Sequence, residues 1–396
     1  MDKQTKIAQC TPHTSGGDSN DALLNKKITR KAKPTLPGVL EFFAGSGLVA
    51  HGMKSYFNAV WANDICEKKA AVYTANHGHK NFHLGSIADV NGSDMPEARL
   101  SWASFPCQDL SLAGLTAGIH AERSGLVWQW LRIMDEMKKK PPLLVAENVT
   151  GLVSVDGGSH YRILHQALRE RGYTIGAVVL NASHWVPQSR PRVFVIAVAN
   201  EFAIPADLIS DVPNWAHSTA MIKAVEGLDD WVWWNLPKPA KRKTVLADLI
   251  EWNAPCDADS DAEKKIGMIP PNHLERLNSG ELHIVPGYKR TRNSKQVLEL
   301  RFDGIAGCLR TAEGGSSRQI VVMKQNNQMK TRLLTIREAA RLMGAPDSYK
   351  LPGSYNDGYT AMGDAVAAPV ARYLAQYLLS PLTNFINELG NGELKA

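Results

Sequence analysis

A proline–cysteine step at residues 106–107 constrains this chain more than any other feature of its sequence. An apolar, strand-like run at residues 100–105 ends at Pro106, which has no N–H to donate to a sheet. Cys107 follows at once, so its thiol is predicted at the carboxyl edge of a strand, where open α/β sheets bind ligands. A lone cysteine is more often a small buried hydrophobe. The polar, glycine-containing loop after it favours a functional position, and we expect that loop to close as a lid.

The segment before this step has the pattern of a nucleoside-binding α/β domain. A strand-like run ends in the sequence AGSG (residues 44–47), ahead of a helix-like stretch. Glycines at such a turn let the backbone approach a ligand at the helix N-terminus. A second strand-like run, at residues 59–63, ends in Asp64, which suits ribose hydroxyls. The third glycine of the dinucleotide fingerprint is absent, so a pyrophosphate site is not predicted.

The α/β alternation continues to residue 200. Further strands are predicted at residues 83–87, 100–105, 143–146, 173–180 and 193–199. The last two strands lie close enough in sequence to pair as a hairpin, which predicts a mixed, mostly parallel sheet. A helical stripe of Leu126, Trp130, Ile133, Met134 and Met137 is expected to face the core. Helical spacing returns after residue 331, starting from Leu333, and another apolar helix is predicted at residues 365–380.

Residues 201–330 break this rhythm and are expected to form a smaller, irregular domain. Acidic residues outnumber basic ones in residues 201–281, and the reverse holds in residues 282–330. The basic part is the predicted nucleic-acid face, where the turn at Gly314-Gly315 either reaches into a groove or is a plain surface turn. The tryptophans of this region are expected in the smaller domain's core: Trp231, Trp233, Trp234 and Trp252.

Composition and charge narrow the class of protein. The net charge is a mild +6, and the five cysteines form no CxxC motif or close pair, so no metal site or disulfide framework is predicted. No apolar run reaches membrane-spanning length, and the polar start has no signal-peptide core, which predicts a cytoplasmic protein. Residues 1–37 are polar and basic, and we expect a disordered arm there.

Several motifs together resemble the DNA cytosine C5-methyltransferases of the bacterial restriction-modification type. FFAGSG, SFPCQ–LS, ENV, QSRPRVFVIA, RLLT–REAARLMG and GDAVAAPVA stand in the family's order and approximate spacing, across residues 39–200 and 331–376. Three positions depart from the common pattern. Glu41 stands where an aspartate is common, Asp64-Ile65 replaces a frequent Glu-Trp, and Gly363-Asp364 replaces Gly-Asn. The last departure leaves the role of the Asp364 side chain open.

The resemblance implies a Rossmann-like methyltransferase domain, made of residues 38–200 and 331–396, and a target-recognition domain at residues 201–330. It also implies S-adenosyl-L-methionine as the cofactor. The implied catalytic residues are the nucleophile Cys107, the base-binding carboxylate Glu147 and the supporting Arg190 and Arg192. The implied cofactor-binding residues are Phe43, Ala44, Gly45, Ser46, Gly47, Leu48, Asp64, Ile65, Ile87, Pro106, Leu126, Asp364 and Ala365.

The chemistry explains why these groups belong together. Carbon 5 of cytosine is a poor nucleophile, and a thiolate that adds to carbon 6 makes it reactive. A carboxyl group such as Glu147 can supply a proton at ring nitrogen 3, and the arginines can grip the base carbonyl or a phosphate. The base that removes the carbon 5 proton is not identified by the sequence.

The implied partner is double-stranded DNA, bound by a monomeric, nucleoid-associated protein, with a cognate restriction endonuclease acting on the same site but not bound. The predicted DNA-contacting residues are Gln108, Ser111, Arg123, Lys289, Arg290, Arg292, Arg310 and Arg318. Two alternatives stay open: an RNA cytosine methyltransferase, and a non-catalytic nucleic-acid-binding protein on the same fold. A nicotinamide or flavin oxidoreductase is disfavoured by the missing third glycine.

Overall fold

The computed structural model describes residues 35–106, 125–228, 230–280, 283–310, 318–325 and 328–392. The predicted N-terminal arm lies outside the described residues almost entirely, and so do Cys107, Gln108, Ser111, Arg123 and the Gly314-Gly315 turn. The elements described below belong to the compact unit that begins at Leu36. Within the described ranges, no helix is both long enough and apolar enough to cross a lipid bilayer.

Seven strands form one large sheet. They are β1 (Gly38–Phe42), β2 (Asn58–Asp64), β3 (Phe82–Leu84), β4 (Leu100–Ala103), β5 (Leu143–Val149), β6 (Tyr173–Asn181) and β7 (Pro191–Ala199). Their spatial order is β3-β2-β1-β4-β5-β7-β6. Neighbours among the first five strands are parallel, whereas β7 is antiparallel to both β5 and β6. The predicted mixed, mostly parallel sheet is confirmed, and the last two strands do form a hairpin.

Two strands end earlier than their sequences predict. β4 stops at Ala103, and the carbonyl of Phe105 instead accepts a hydrogen bond from the Asn148 side chain at 3.0 Å. β3 stops at Leu84, because the Ser86 hydroxyl accepts from a backbone N–H two residues on and starts a 3-10 turn. In both places a hydrogen bond between a side chain and the backbone lies just beyond the strand end.

Helices cover both faces of this sheet. The first five are α1 (Leu48–Met53), α2 (Glu67–His77), α3 (Leu126–Glu136), α4 (Gly151–Ser154) and α5 (Ser159–Arg169). α3 and α5 bury Trp130, Ile133 and Leu164 in a cluster on one face, while α1 buries Leu48 and Met53 in a cluster on the other. The apolar stripe predicted for α3 therefore faces the core as expected.

The tryptophans of residues 231–234 extend the edge of the large sheet. After β8 (Ile209–Ser210) and α6 (Thr219–Ala224), the chain reaches β9 (Trp233–Trp234). Trp231 forms a bridge with Ile175 of β6, and a Cβ at Gly176 would lie 2.5 Å from the Trp234 indole nitrogen. The expectation that these tryptophans form the core of a smaller domain is thus wrong. Trp234 packs on β6 because Gly176 leaves room for its indole.

A second, four-stranded sheet follows. Its elements are α7 (Asp259–Ile266), α8 (Pro271–Ser279), β10 (Ile284–Arg292), β11 (Lys295–Leu300), β12 (Ile320–Gln325) and β13 (Gln328–Leu333). The strands are antiparallel in the order β11-β10-β12-β13, and Leu277 of α8 packs on them. Asn293 and Ser294 have φ of 46° and 64°, the left-handed backbone of a two-residue hairpin turn. This part is therefore more regular than its sequence pattern predicts.

The C-terminal helices return to the large sheet. They are α9 (Ile336–Leu342), α10 (Tyr355–Asp364), α11 (Ala368–Leu374) and α12 (Ser380–Gly392). α11 packs closely on α1, since a Cβ at Gly52 would lie 2.3 Å from the carbonyl oxygen of Ala368. The predicted helical stripe starts later than Leu333, which ends β13, because a capping box at Thr335 starts α9. The helix predicted at residues 365–380 is interrupted by a π-helical turn between α11 and α12.

Candidate active site

A cavity of about 550 Å³ opens at the carboxyl ends of β1, β2, β4 and β5. This is the size of a small-molecule site, for which about 300–1,000 Å³ is usual. Among the predicted cofactor-binding residues, its wall contains Phe43, Ala44, Gly45, Leu48, Asp64, Ile65, Ile87, Pro106, Leu126, Asp364 and Ala365. Two of the predicted catalytic residues, Glu147 and Arg192, lie in the same wall. The sheet topology thus collects residues from both ends of the chain around one space.

The glycine turn after β1 needs an unusual backbone. Phe43, Gly45 and Gly47 all have positive φ, at 55°, 55° and 79°. At Gly47 a Cβ would also lie within 2.8 Å of the rings of His77 and Tyr73. A side chain at Gly47 is therefore excluded both by backbone strain and by close contact. The tight turn leaves its first residues open to the cavity.

The second half of the turn lies behind the cavity wall and supports it. The carbonyl of Ser46 accepts a hydrogen bond from the Tyr349 hydroxyl at 2.5 Å, and the Ser46 hydroxyl donates to the carbonyl of Ala361 at 3.1 Å. His77 Nε2 lies 3.0 Å from the carbonyl of Gly47. Ser46 and Gly47 are thus placed to hold the turn in shape. A direct cofactor contact by either residue stays a prediction.

Asp64 is fixed at the end of β2 by the backbone around it. Its Oδ2 accepts from the Gly45 N–H at 2.8 Å, and its Oδ1 accepts from the Cys66 N–H at 2.9 Å. Each carboxylate oxygen can accept a second hydrogen bond. Ile65 follows with 70% of its surface exposed, in the cavity wall. The site therefore offers an oriented acceptor beside an open apolar side chain.

The ends of β4 and β5 are tied together beside the cavity. The Asn148 amide donates to the Phe105 carbonyl, and Ser104 Oγ accepts from the Trp102 indole N–H at 3.0 Å. Pro106 lies in the cavity wall, and Cys107 is the next residue in the sequence. The described backbone thus leads the chain to the cavity at the residue before the predicted nucleophile.

Glu147 and Arg192 contact each other in the cavity wall, where both side chains are largely buried. Arg192 Nε lies 3.1 Å from Glu147 Oε1, and only 6% of Glu147 is exposed. Burial raises the pKa of Glu147, and the nearby Arg192, Arg190 and the Ser104 hydroxyl offset this only in part, so the pKa stays above its usual range. The carboxyl group therefore keeps its proton to higher pH than a free glutamate would.

Arg190 has a different place from Arg192. It is fully buried outside the cavity lining, and its guanidinium donates to the carbonyls of Gly363 (2.9 Å), Ala365 (2.6 Å) and Leu309 (3.2 Å). Burial, with a contribution from Arg192, lowers the pKa of Arg190 to about 10. Arg190 joins the segment before α11 to residues near 309, which favours a positioning role. Direct action on a substrate by Arg190 stays a prediction.

The cavity also contains residues that sequence reasoning missed. Lys69 of α2 forms an ion pair with Asp364 at 2.5 Å, and both side chains line the cavity. Ser104 and Asn148 line it as well. No periodicity marks Lys69, because its importance depends on α10, almost three hundred residues later. Asn148 did carry a signal, since it directly follows Glu147 at the end of a strand.

The basic residues of β10 do not form one cluster. Side chains alternate along a strand, so Arg290 and Arg292 lie on one face and Lys289 on the other. The Arg290 guanidinium lies 5.2 Å from the centre of the Tyr288 ring, and Arg292 pairs with Glu299 of β11 at 2.6 Å. This organisation holds the arginine face in a defined shape. Their contact with DNA stays a prediction.

Arg310 and Arg318 differ in how they are held. Arg310 is exposed, whereas Arg318 donates to the Asn356 side chain and lies 5.3 Å from the centre of the Tyr355 ring. Residues 306–309 run beside the active site, since the Leu309 N–H donates to the buried Gln188 side chain at 3.1 Å. This contact places the chain before Arg310 close to the predicted catalytic arginines.

Comparison with protein families gives one match that spans most of the chain. The model of the family described as C-5 cytosine-specific DNA methylase matches residues 38–380. Type II methyltransferase M.HhaI of Haemophilus parahaemolyticus is 28% identical over 351 residues, which cover 87% of this chain and 94% of the relative. Type II methyltransferase M.Bsp6I of Bacillus sp. (strain RFL6) is 26% identical over 345 residues, which cover 85% of this chain and 97% of the relative.

Solved structures give a similar fold. The Dnmt2 methyltransferase of S. pombe has a TM-score of 0.55 at 19% identity, covering 89% of this chain and 99% of that structure. The methyltransferase EhMeth of Entamoeba histolytica has a TM-score of 0.60 at 15% identity, and the match covers 88% of this chain and 99% of that structure. At these identities the likeness concerns the fold alone. It agrees with the predicted Rossmann-like architecture.

Proposed function

This chain belongs to the C-5 cytosine-specific DNA methylase family, and from that premise we propose that it methylates carbon 5 of cytosine within a specific sequence of double-stranded DNA. The observation that carries the proposal is the shared cavity. The buried carboxyl group of Glu147 and Pro106, which follows β4, line the same cavity as the glycine turn. A methyl donor and a target base can therefore meet there.

The cavity wall fits S-adenosyl-L-methionine. The carboxylate of Asp64, fixed by two backbone N–H groups, can accept hydrogen bonds from ribose hydroxyls. The exposed side chain of Ile65 offers an apolar surface for adenine, and the turn at Phe43–Gly45 leaves its backbone open to the rest of the molecule. When bound, this cofactor supplies an electrophilic methyl group on a sulfonium sulfur.

The proposed reaction begins with the thiolate of Cys107. It bonds to carbon 6 of the target cytosine and raises the electron density at carbon 5, which can then accept a methyl group. A base that the sequence does not identify then takes the carbon 5 proton, the thiolate leaves carbon 6, and ring nitrogen 3 returns its proton to Glu147. These steps restore the aromatic ring and free the cysteine. Cys107 directly follows Pro106 in the sequence, and Pro106 lies in the cavity wall, which supports this role.

Glu147 is proposed to donate a proton to ring nitrogen 3 as Cys107 adds. Its raised pKa supports the role, because a carboxyl group must still hold its proton in order to donate it. Arg192 contacts Oε1 and so orients the carboxyl group. Arg190 is proposed to fix the wall around Gly363 and Ala365 rather than to touch the base.

The target base must leave the DNA stack to reach this cavity. We propose that the recognition elements lie within residues 201–330, centred on the four-stranded sheet, and that Arg310 contacts DNA beside the flipped base. The links from Gln188 to Leu309 and from Arg190 to Leu309 support a position close to the cavity. Arg290 and Arg292 are proposed to contact the DNA backbone.

Relatives named Type II methyltransferases support a role in restriction-modification. We propose that this monomeric enzyme protects one DNA sequence from a cognate endonuclease that does not bind it. We propose that the enzyme is located in the bacterial cytoplasm and acts on the DNA of the nucleoid.

The test is to express the full chain in cells that lack cytosine methylation and to sequence their DNA after bisulfite treatment. We expect methylated cytosines within one recurring sequence, and none from the Cys107→Ser variant. Purified protein is also offered duplex DNA and RNA of the recovered sequence. Methylation of the RNA alone, or of neither substrate, would contradict the proposal.

A further inference from the structure

We propose that Lys69 and Asp364 recognise the amino-acid end of the cofactor, with Lys69 receiving its α-carboxylate and Asp364 its α-ammonium group. This inference rests on the proposed use of S-adenosyl-L-methionine. It also gives a role to the aspartate that replaces the family's common asparagine at this position.

The first observation is the place of the pair. Lys69 Nζ lies 2.5 Å from Asp364 Oδ2, and both residues line the cavity. The Lys69 side chain is 20% exposed and that of Asp364 is 41% exposed. Both charges are thus within reach of a ligand in the cavity, while the neighbouring helices α2 and α10 hold their positions.

The second observation is how the other charged groups of the wall are engaged. Among the described lining residues, Glu147 and Arg192 contact each other and are proposed to serve the target base, and Asp64 is held by two backbone N–H groups at the proposed ribose site. A zwitterion needs a cation and an anion close together. Lys69 and Asp364 are the remaining charged residues of the described wall, and they are adjacent.

The third observation is the charge state of Lys69. Burial lowers its pKa, but the carboxylates of Asp364 and Asp64 outweigh that effect and hold the pKa above its usual range. Lys69 therefore stays positively charged at any physiological pH. Such a cation can exchange part of its contact with Asp364 for a ligand carboxylate without first gaining a proton.

The chain contains a matched control on the same two helices. Lys68 Nζ lies 2.7 Å from Asp357 Oδ1, but neither residue lines the cavity. If ion pairs between α2 and α10 only fasten the helices together, loss of either pair has similar effects. If the Lys69–Asp364 pair recognises a ligand, only its loss changes ligand selectivity.

The experiment measures the binding of two probes to the full chain by calorimetry. S-adenosylhomocysteine carries the amino-acid end, and 5′-methylthioadenosine lacks it. We expect Lys69→Met to weaken the binding of S-adenosylhomocysteine about tenfold or more. A charge-assisted contact is lost, and Asp364 then repels the ligand carboxylate. Asp364→Asn is expected to weaken it less, since an amide oxygen still accepts from the ammonium group. Binding of 5′-methylthioadenosine should stay within about twofold for both variants.

In the Lys68→Met and Asp357→Asn variants, the affinity for each probe should stay within about twofold of that of the unmodified chain. Equal weakening of the two probes by Lys69→Met would overturn the inference and reduce the pair to a helix clamp. Unchanged binding of both probes would also overturn it. Failure of the unmodified chain to bind S-adenosylhomocysteine would instead contradict the proposed function, so the two failures are distinguishable.

Discussion

Arg192 Nε lies 3.1 Å from Glu147 Oε1, between two antiparallel strands at the cavity wall. Arg192 is opposite Val149 in the β5–β7 ladder, two residues beyond Glu147 on the same face. The contact orients one oxygen of the carboxyl group, and burial raises the pKa of the group. The strand register thus holds Glu147 in the arrangement expected of the proposed proton donor before any substrate binds.

Replacement of Glu147 by glutamine should lower the single-turnover methylation rate by about a hundred- to ten-thousand-fold, the usual contribution of a general acid. DNA binding should weaken far less, because glutamine keeps the shape and can still hydrogen-bond. The pH dependence of the methylation rate gives a second test. The rate of the unmodified enzyme should fall as pH rises through the raised pKa of Glu147, and the variant should lose that decline. A single-turnover rate within about threefold of the original would leave Glu147 a structural carboxylate.

Replacement by glutamine should have different effects at Arg190 and at Arg192. Arg190→Gln leaves the buried carbonyls of Gly363, Ala365 and Leu309 without their donor, at a cost of about 1–3 kcal/mol for each group left unpaired. We expect a clearly lower Tm and weaker S-adenosylhomocysteine binding. Arg192→Gln should leave the Tm near the original but reduce the methylation rate. Thermal unfolding, calorimetry and rate measurements on both variants check this, and identical losses from the two changes would contradict it.

Glu41 is expected to make the free energy of unfolding depend on pH. It is completely buried, and its pKa is raised from 4.5 to about 8, mainly by burial and further by Asp64, with the backbone N–H of Ala50 acting in the opposite direction. A raised pKa in the folded state means stability that is fully present below pH 4.5 and lost as pH rises towards about 8. The shift corresponds to at most about 5 kcal/mol. Glu41→Gln should flatten this decline in denaturant unfolding at several pH values. An unchanged slope would show that Glu41 does not titrate in this range.

Arg310 and Arg292 should affect DNA binding in different ways. Removal of an arginine that contacts a base edge costs about 1–3 kcal/mol of binding free energy at one base position. Removal of a phosphate contact weakens binding to all sequences alike and reduces the salt dependence of binding. We expect Arg310→Ala to relax one position of the recognised site and Arg292→Ala to lower only the overall affinity. The measurement is methylation across a library of single-base variants at two salt concentrations. The reverse pattern would exchange the two assignments.

The pattern of strands and helices predicts the large sheet, the glycine turn and Asp64 at a strand end. Glu147 and most of the other predicted cavity residues come from the family resemblance. The Glu147–Arg192 and Lys69–Asp364 contacts could not be predicted, since they depend on strand register and on how α10 packs against α2. The tryptophans at 231–234 were misplaced because composition does not show which core buries them. A small residue opposite, Gly176, decides that.

The direct test of the central claim is covalent capture by Cys107. Duplex DNA that contains the recognised sequence with 5-fluorocytosine at the target is incubated with the protein and S-adenosyl-L-methionine. Fluorine replaces the proton that must leave, so the thiol–carbon 6 bond should persist.

Cys308, which contacts Arg190 at 3.3 Å and has a pKa below its usual range, provides the control thiol near the active site. The account predicts a denaturation-resistant adduct with the unmodified chain and with Cys308→Ser, and none with Cys107→Ser. An adduct that survives Cys107→Ser, or no adduct with the unmodified chain, would contradict it.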